Sequence, residues 1–328
     1  MQQKKPLSVT TERLKPCLDE TSPEPSITWS QAEIPNFNNP HFPQKVTSHF
    51  LTKISPNRSD DPLLLQILPR QEESIVTPHE KIDPVGDVDA IAAPGVIHKY
   101  PGRALVYVTN ECTIHCRFCF RKNSQRNLST ATDHIEDVIN YFETTPSISE
   151  AILSGGDPFC APLPKVSTLL EQLDRLNHLK RIRIHTRVPV TLPELISPGW
   201  ERLLSKLSKR LTIVLHSNHP NEIDCATEKC LEKFQKAGAT LLSQAVLLRS
   251  INDHPDVLVR LFEALFKAGV LPYYLHLLDP AAGTSHFHVS DDRAKEIWRN
   301  LQSTLPGYLV PRLVREIPGE LSKRIVCK

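Results

Sequence analysis

Residues 103–122 read RALVYVTNECTIHCRFCFRK. The stretch opens on a run rich in β-branched and aromatic residues, which predicts a strand over 103–110. Directly behind it come three cysteines within eight residues: Cys112, Cys116 and Cys119. A closed structural zinc site takes four ligands, often in two Cys-x-x-Cys pairs. No second pair follows here: Cys160 stands alone, and Cys225 and Cys230 lie on a stretch of helical pattern. Three thiolates in a Cys-x3-Cys-x2-Cys spacing fit a four-iron cluster with one iron open to an outside ligand, although such clusters usually take four thiolates. A zinc knuckle remains the alternative reading of the triplet taken alone.

Working outward, the same strand type recurs at EAILSGGD (150–157), RIRIHTR (181–187), LTIVLHSN (211–218), ATLLSQAVLL (239–248) and PYYLHLLD (272–279). Amphipathic stretches of helical length separate them, at 131–145, 163–178, 193–208, 222–237, 255–268 and 290–304, with Gly238 and Gly269 where helix C-caps are expected. Strands alternating with helices predict parallel β/α units with right-handed crossovers. No GxGxxG follows the first strand, so the pattern favours an α/β fold of the parallel (β/α)6 barrel kind, full or partial, over a doubly wound sheet. The strand ends carry the unusual residues: the cysteines, then SGGDP, then His185, His216, Gln244, and His276 with Asp279. In β/α barrels those ends build the site.

Composition narrows the classes. Of 328 residues, 40% are hydrophobic and 23% charged, which is ordinary for a globular protein. Lys+Arg number 39 against Asp+Glu 37, so no charge excess points to nucleic acid or an anionic membrane. The first twenty residues hold no signal-peptide core and no run is long enough to span a bilayer, so a cytoplasmic setting is expected. Eight cysteines in this length are not a disulfide framework. Residues 1–60, rich in Pro, Ser, Thr and Asn, are expected to form a loosely ordered N-terminal extension. A lead-in or cap at 61–100, the barrel at 101–316 and a tail at 317–328 complete the expected division.

The cysteine triplet after a first barrel strand resembles the radical S-adenosylmethionine superfamily. There the open iron of a [4Fe-4S] cluster chelates S-adenosylmethionine, and a Gly-rich turn of the SGGDP type touches its methionyl ammonium. That resemblance assigns Cys112, Cys116 and Cys119 to the cluster and Gly155, Gly156 and Asp157 to S-adenosylmethionine. A plainer reading makes Asp157 a helix N-cap with Pro158 at the first helical position. Further stretches narrow the resemblance: PGVIHKYPGRALVYVT, CRFCFRK, IRIHTRVPV, SNHPNEI, SQAVLLRSIND, PYYLHLLD and REIPGELSK. From about residue 61 to 323 the chain resembles the lysine 2,3-aminomutase family. Its members add pyridoxal 5′-phosphate and move an amino group from the α- to the β-carbon of an amino acid.

The resemblance implies further roles. Lys323 matches the lysine that holds pyridoxal phosphate as a Schiff base, although its loop, Pro318-Gly319-Glu320-Leu321-Ser322-Lys323, lacks three of the family's four glycines. Arg103 matches a phosphate contact, with Lys99 and Tyr100 as weaker candidates. Arg121 matches the arginine that grips the substrate carboxylate, a task suited to a planar guanidinium fork. Asp279 and Glu316 match the acidic pair that holds the ε-ammonium of lysine. Short bacterial members make (R)-β-lysine from L-α-lysine for modification of elongation factor P, and the chain's end at Lys328 sets that expectation. An external electron donor such as flavodoxin or ferredoxin is implied as well. The rivals are a glutamate or arginine 2,3-aminomutase, a radical enzyme without pyridoxal phosphate, and a non-catalytic zinc-binding module.

Overall fold

The computed structural model describes residues 42–124 and 128–327. Its centre is one mixed sheet whose strands lie side by side in chain order: β1 (Ile91–Ala93), β2 (Val96–Tyr100), β3 (Arg103–Thr109), β4 (Glu150–Gly155), β5 (Arg181–Thr186), β6 (Arg210–His216), β7 (Thr240–Val246), β8 (Leu271–His276), β9 (Arg312–Arg315) and β10 (Arg324–Ile325). From β3 to β9 every neighbour is parallel, while β1, β2 and β10 run antiparallel at the two edges. The sheet curls without closing, a partial barrel.

The crossovers are α2 (Ile135–Thr144), α3 (Leu163–Arg175), α5 (Pro198–Ser205), α6 (Cys225–Lys236), α7 (Pro255–Lys267) and α8 (Asp291–Thr304), with the one-turn helices α1 (Ser48–Thr52) and α4 (Val188–Thr191) set apart from that series. Local chemistry sets their ends. Asp224 caps α6 by accepting from Thr227 N, and Ser290 caps α8 by accepting from Arg293 N. Gly238 and Gly269 follow α6 and α7 at φ +82° and +75°, a left-handed turn that glycine takes without penalty. The six expected β/α units are all present. The expected helix at 193–208 is instead a 3-10 turn at Pro193–Leu195 followed by α5, because Pro193 and Pro198 each start a new helical segment. A seventh parallel strand, β9, was not expected.

Side-chain alternation positions the site. In β5, Ile182 and Ile184 are buried among the helices, whereas Arg183 and His185 face the barrel interior. In β6, Leu211, Ile213 and Leu215 point outward, and Thr212 and His216 inward. In these two strands the period of two gives an apolar face for the helices and places polar side chains in the lumen.

Of the expected loose extension, residues 1–41 lie outside the described residues. The remainder, 42–60, is ordered: Phe42, Val46, Phe50 and Ile54 are buried, and Phe50 is fully enclosed in the main core. No helix among the described residues is long and apolar enough to cross a membrane.

Candidate active site

The barrel holds a cavity of about 650 Å³. Every candidate residue singled out from the sequence lines it: the three cysteines, Lys99, Tyr100, Arg103, Arg121, Gly155, Gly156, Asp157, Asp279, Glu316 and Lys323. Residues up to 224 positions apart thus meet in one space, because strand order equals chain order and the sheet wraps around the lumen.

The cysteine loop leaves the end of β3 and is pinned at several points. His115 N donates to Lys45 O (2.9 Å), Arg117 N to Gln66 O (2.8 Å) and Cys119 N to Cys116 O (3.0 Å). The Arg117 guanidinium forms a forked pair with Glu73, through Nε at 2.8 Å and Nη2 at 2.6 Å, with both side chains sealed from solvent. All three thiols face the cavity. Gly155 and Gly156 pack directly under this loop. A Cβ on Gly155, whose φ is +127°, would stand 2.6 Å from Thr109 O, and one on Gly156 would overlap the Glu111 carbonyl. Their missing side chains are thus demanded first by the protein's own backbone, with Gly156 N donating to Thr109 O at 2.6 Å.

Asp157 lines the cavity and is held by the protein's own donors. Its carboxylate accepts from Phe159 N (3.2 Å), Thr186 Oγ1 (2.9 Å), Arg187 N (2.6 Å) and Val188 N (3.2 Å), which ties the ends of β4 and β5 together. Burial still raises its pKa to about 6 against the pull of those donors. Four donors already surround both oxygens, so Asp157 is a brace and caps the 3-10 turn at Pro158–Cys160, as the plainer reading had it.

At the far wall a charged network runs through the candidate cofactor and substrate residues. Asp87, 2% exposed, takes Arg121 Nε at 2.7 Å and Lys99 Nζ at 2.6 Å. Burial works to raise the Asp87 pKa, but the two cations outweigh it and hold the carboxyl below its ordinary value. Lys99 also donates to Val85 O (2.7 Å) and stands 3.7 Å from Glu316. Glu316 accepts from both the Lys323 ammonium and the Tyr100 hydroxyl. Burial opposes its ionisation, yet Lys323 and the other donors keep it ionised, with a lowered pKa. Lys99 is therefore engaged by two carboxylates. Arg103 is not: its guanidinium stacks 4.5 Å over the Tyr100 ring and has no hydrogen bond or ion pair among the described residues.

Other groups on the cavity wall lack partners. Asp279 Oδ1 is buried with no hydrogen bond, and burial raises this carboxyl to about 7 in spite of the Lys323 charge. The Nε2 atoms of His185, His216 and His276 are likewise buried and unpaired. Burial first, and cationic neighbours second, depress all three imidazoles, His216 to about 3, so they line the lumen as neutral rings. Buried polar atoms without partners are rare in folded proteins, and these four share one cavity.

The residues present fit the groups that the resemblance implies. Three cysteines line one cavity, the donor set that a cluster with an open corner would need, and the unpaired Arg103 offers a cation to a phosphate. Lys323 carries an amine into the lumen, and Asp279 lacks a cation. Sequence reasoning missed Asp87, Gln66, Arg187 and Glu222. Asp87 sits in the featureless stretch DPVGDVDA and is recognisable only by what it touches.

Comparison with known proteins adds the relatives. A family described as a 4Fe-4S single cluster domain matches residues 100–215. The chain is 40% identical over 290 residues to a protein named L-lysine 2,3-aminomutase from Escherichia coli (strain K12), covering 86% of this chain and 82% of that one. A protein of the same name from Haemophilus influenzae is 38% identical over 285 residues, covering 87% and 84%. One from Clostridium subterminale is 32% identical over 276 residues, with 84% of this chain and 66% of that one covered. Likeness to solved structures is looser: a radical SAM methyltransferase from Sphaerobacter thermophilus aligns at 16% identity and a TM-score of 0.47, over 67% of this chain and 68% of that one.

Proposed function

This chain belongs to the L-lysine 2,3-aminomutase family of isomerases, with an iron–sulfur domain of the radical S-adenosylmethionine kind, and we propose that it converts L-α-lysine to (R)-β-lysine with the further help of pyridoxal 5′-phosphate. The observation that carries the substrate choice is Asp279: a buried carboxyl with a partnerless oxygen, in a lumen it shares with Glu316. A cationic side chain end supplies what that oxygen lacks. Glutamate would bring a third carboxylate to the same wall, at a large desolvation cost.

When bound, the cluster supplies the electron that cleaves S-adenosylmethionine and pyridoxal phosphate supplies a conjugated system across which nitrogen can migrate. The protein's own part is positioning and exclusion of water. Cys112, Cys116 and Cys119 hold the iron, with Gly155 and Gly156 letting the backbone pack close beneath them. Arg103 takes the phosphate, with Tyr100 stacked against it. Lys99, engaged by Asp87 and Glu316, is better suited to fixing those two carboxylates than to binding phosphate. Arg121, oriented through its Nε by Asp87 and with Nη1 at 3.4 Å from Ser154 Oγ and 3.5 Å from Gly155 O, has its Nη2 left to take the substrate carboxylate. Lys323 would hold the cofactor through its amine, and Glu316, which pairs with that amine here, would steady it as an ammonium whenever it is free. An external one-electron donor of the flavodoxin or ferredoxin type, a cytoplasmic setting and delivery of β-lysine for modification of elongation factor P belong to the same reading, on family resemblance.

The test is covalent. Borohydride reduction of the protein loaded with pyridoxal phosphate, followed by peptide mapping, is expected to fix the cofactor on Lys323. Label on a different lysine contradicts the assignment.

A further inference from the structure

Arg187 follows β5 and is 8% exposed, yet its guanidinium reaches the cysteine loop. Nη1 donates to Cys116 Sγ at 2.7 Å. Nη2 donates to Gln66 Oε1 at 2.7 Å and to Glu222 Oε2 at 3.1 Å. Its Nε is buried with no protein partner. The residue is fixed from both ends. Its backbone N–H is held by Asp157 (2.6 Å), and its ring-like head lies 5.5 Å from the Phe118 centroid and 5.7 Å from that of Phe50. Glu222 is fixed in turn by Gln66 Nε2 (2.9 Å), Ser217 Oγ (3.1 Å) and Asn218 N (3.2 Å). Such a scaffold is more than charge neutralisation of Glu222 needs. It holds a cationic donor against one sulfur, and no side chain among the described residues donates in that way to Cys112 or Cys119.

We propose that Arg187 tunes the reduction potential of the cluster held by Cys112, Cys116 and Cys119, through its charged hydrogen bond to Cys116. The inference rests on the cluster assignment. Hydrogen bonds to cluster sulfurs are one of the protein's levers on potential. One-electron reduction by the external donor adds one negative charge to the cluster and releases nothing. A fixed cation donating to a ligand sulfur stabilises the more negative state more than the oxidised one, because a charge-assisted bond strengthens as its acceptor gains charge. Arg187 therefore raises the midpoint potential and eases reduction, and it acts on the cluster as a positioning and tuning residue.

The experiment uses the full chain, reconstituted anaerobically with iron and sulfide. An EPR-monitored redox titration is run on wild type, Arg187→Lys and Arg187→Met, with iron counted in each. The expected result is a more negative midpoint in Arg187→Met, an intermediate one in Arg187→Lys, and equal iron in all three. An unchanged midpoint at full iron content in Arg187→Met overturns the proposal, whereas wild type that takes up no four-iron cluster overturns the cluster assignment instead. A measurement on unmutated protein covers the case in which Arg187→Met does not fold. Pulsed EPR of the reduced cluster in protein labelled with ¹⁵N-arginine is expected to show a nitrogen coupling that Arg187→Lys loses. Absence of the coupling in wild type, or its persistence in Arg187→Lys, contradicts the proposal.

Discussion

The two walls of the cavity are built in opposite ways. The cysteine wall is locked by the Arg117–Glu73 pair, sealed from solvent, by the nearly buried pair of Arg187 with Glu222 at the lumen's edge, and by backbone bonds from the loop to residues 45 and 66. The lysine wall hangs on the two-residue strand β10, beside which Leu321 is 72% exposed, and on ion pairs that open to the lumen. The difference follows from the work expected of each. A cluster must keep its sulfurs fixed through every turnover. Lys323 must exchange partners, and an ammonium resting on Glu316 can leave it without unfolding anything.

Separating the walls gives the largest expected effect. Serine at Cys112, Cys116 or Cys119 should abolish S-adenosylmethionine cleavage, since a hydroxyl is a poor ligand for the softer metal site. Lys323→Ala should lose isomerisation while cleavage and iron content stay intact. If Lys323→Ala also loses its iron, the walls are not independent. Next comes Asp279→Asn, which keeps the shape and removes the charge. Loss of one member of a buried charge pair costs roughly 3–5 kcal/mol, or about two to three decades in kcat/KM for lysine. A neutral analogue lacking the terminal ammonium should suffer far less, and equal losses would assign Asp279 to the fold or the cofactor.

Glu73→Gln tests the locked wall itself. It leaves Arg117 buried with half its fork, and a stability loss of about 3 kcal/mol is expected in denaturant titrations. Loss below about 0.5 kcal/mol would mean that the pair is dispensable and the contrast between the walls is overdrawn.

The smallest effect is on pH. Asp279 titrates near 7 in the free protein, with Lys323, Glu316, Lys99 and Asp87 as its charged neighbours. Its carboxyl must lose a proton before it pairs with an ammonium, so lysine binding should tighten as pH rises through 7, by about tenfold between pH 6 and 8 for one linked proton. The same raised pKa gives stability that is fully present below the unfolded value of 3.8 and is lost as pH rises through about 7. Asp279→Asn should flatten the binding profile, and an unchanged profile in that variant would move the titration to another group.

Much of this was legible in the sequence, for identifiable reasons. The strands from β3 to β8 announce themselves as short apolar or β-branched runs that alternate with stretches of helical length. The four residues of β9, RLVR, carry arginine at both ends and show no such pattern, and β10 is two residues long. The cysteines stand out by residue type and spacing, whereas the roles of Arg121, Asp279 and Lys323 come only through the family resemblance; all of them line the cavity. Asp87, Gln66 and Glu222 are missed, because their importance lies in contacts across 34, 121 and 35 positions, which neither propensity nor periodicity encodes. The place of Asp157, directly before Pro158, signals the cap, whereas its bonds to Thr186, Arg187 and Val188 across 29 to 31 positions carry no local signal.

The central claim is that one lumen selects a cationic amino acid for amino-group migration. The direct measurement is an anaerobic assay of the reconstituted protein with S-adenosylmethionine, pyridoxal phosphate and a reductant, offered lysine, arginine and glutamate separately and scored for β-isomers. The expected result is β-lysine in preference to any other product. A β-isomer of glutamate, or none from lysine in protein carrying its full iron, would contradict it.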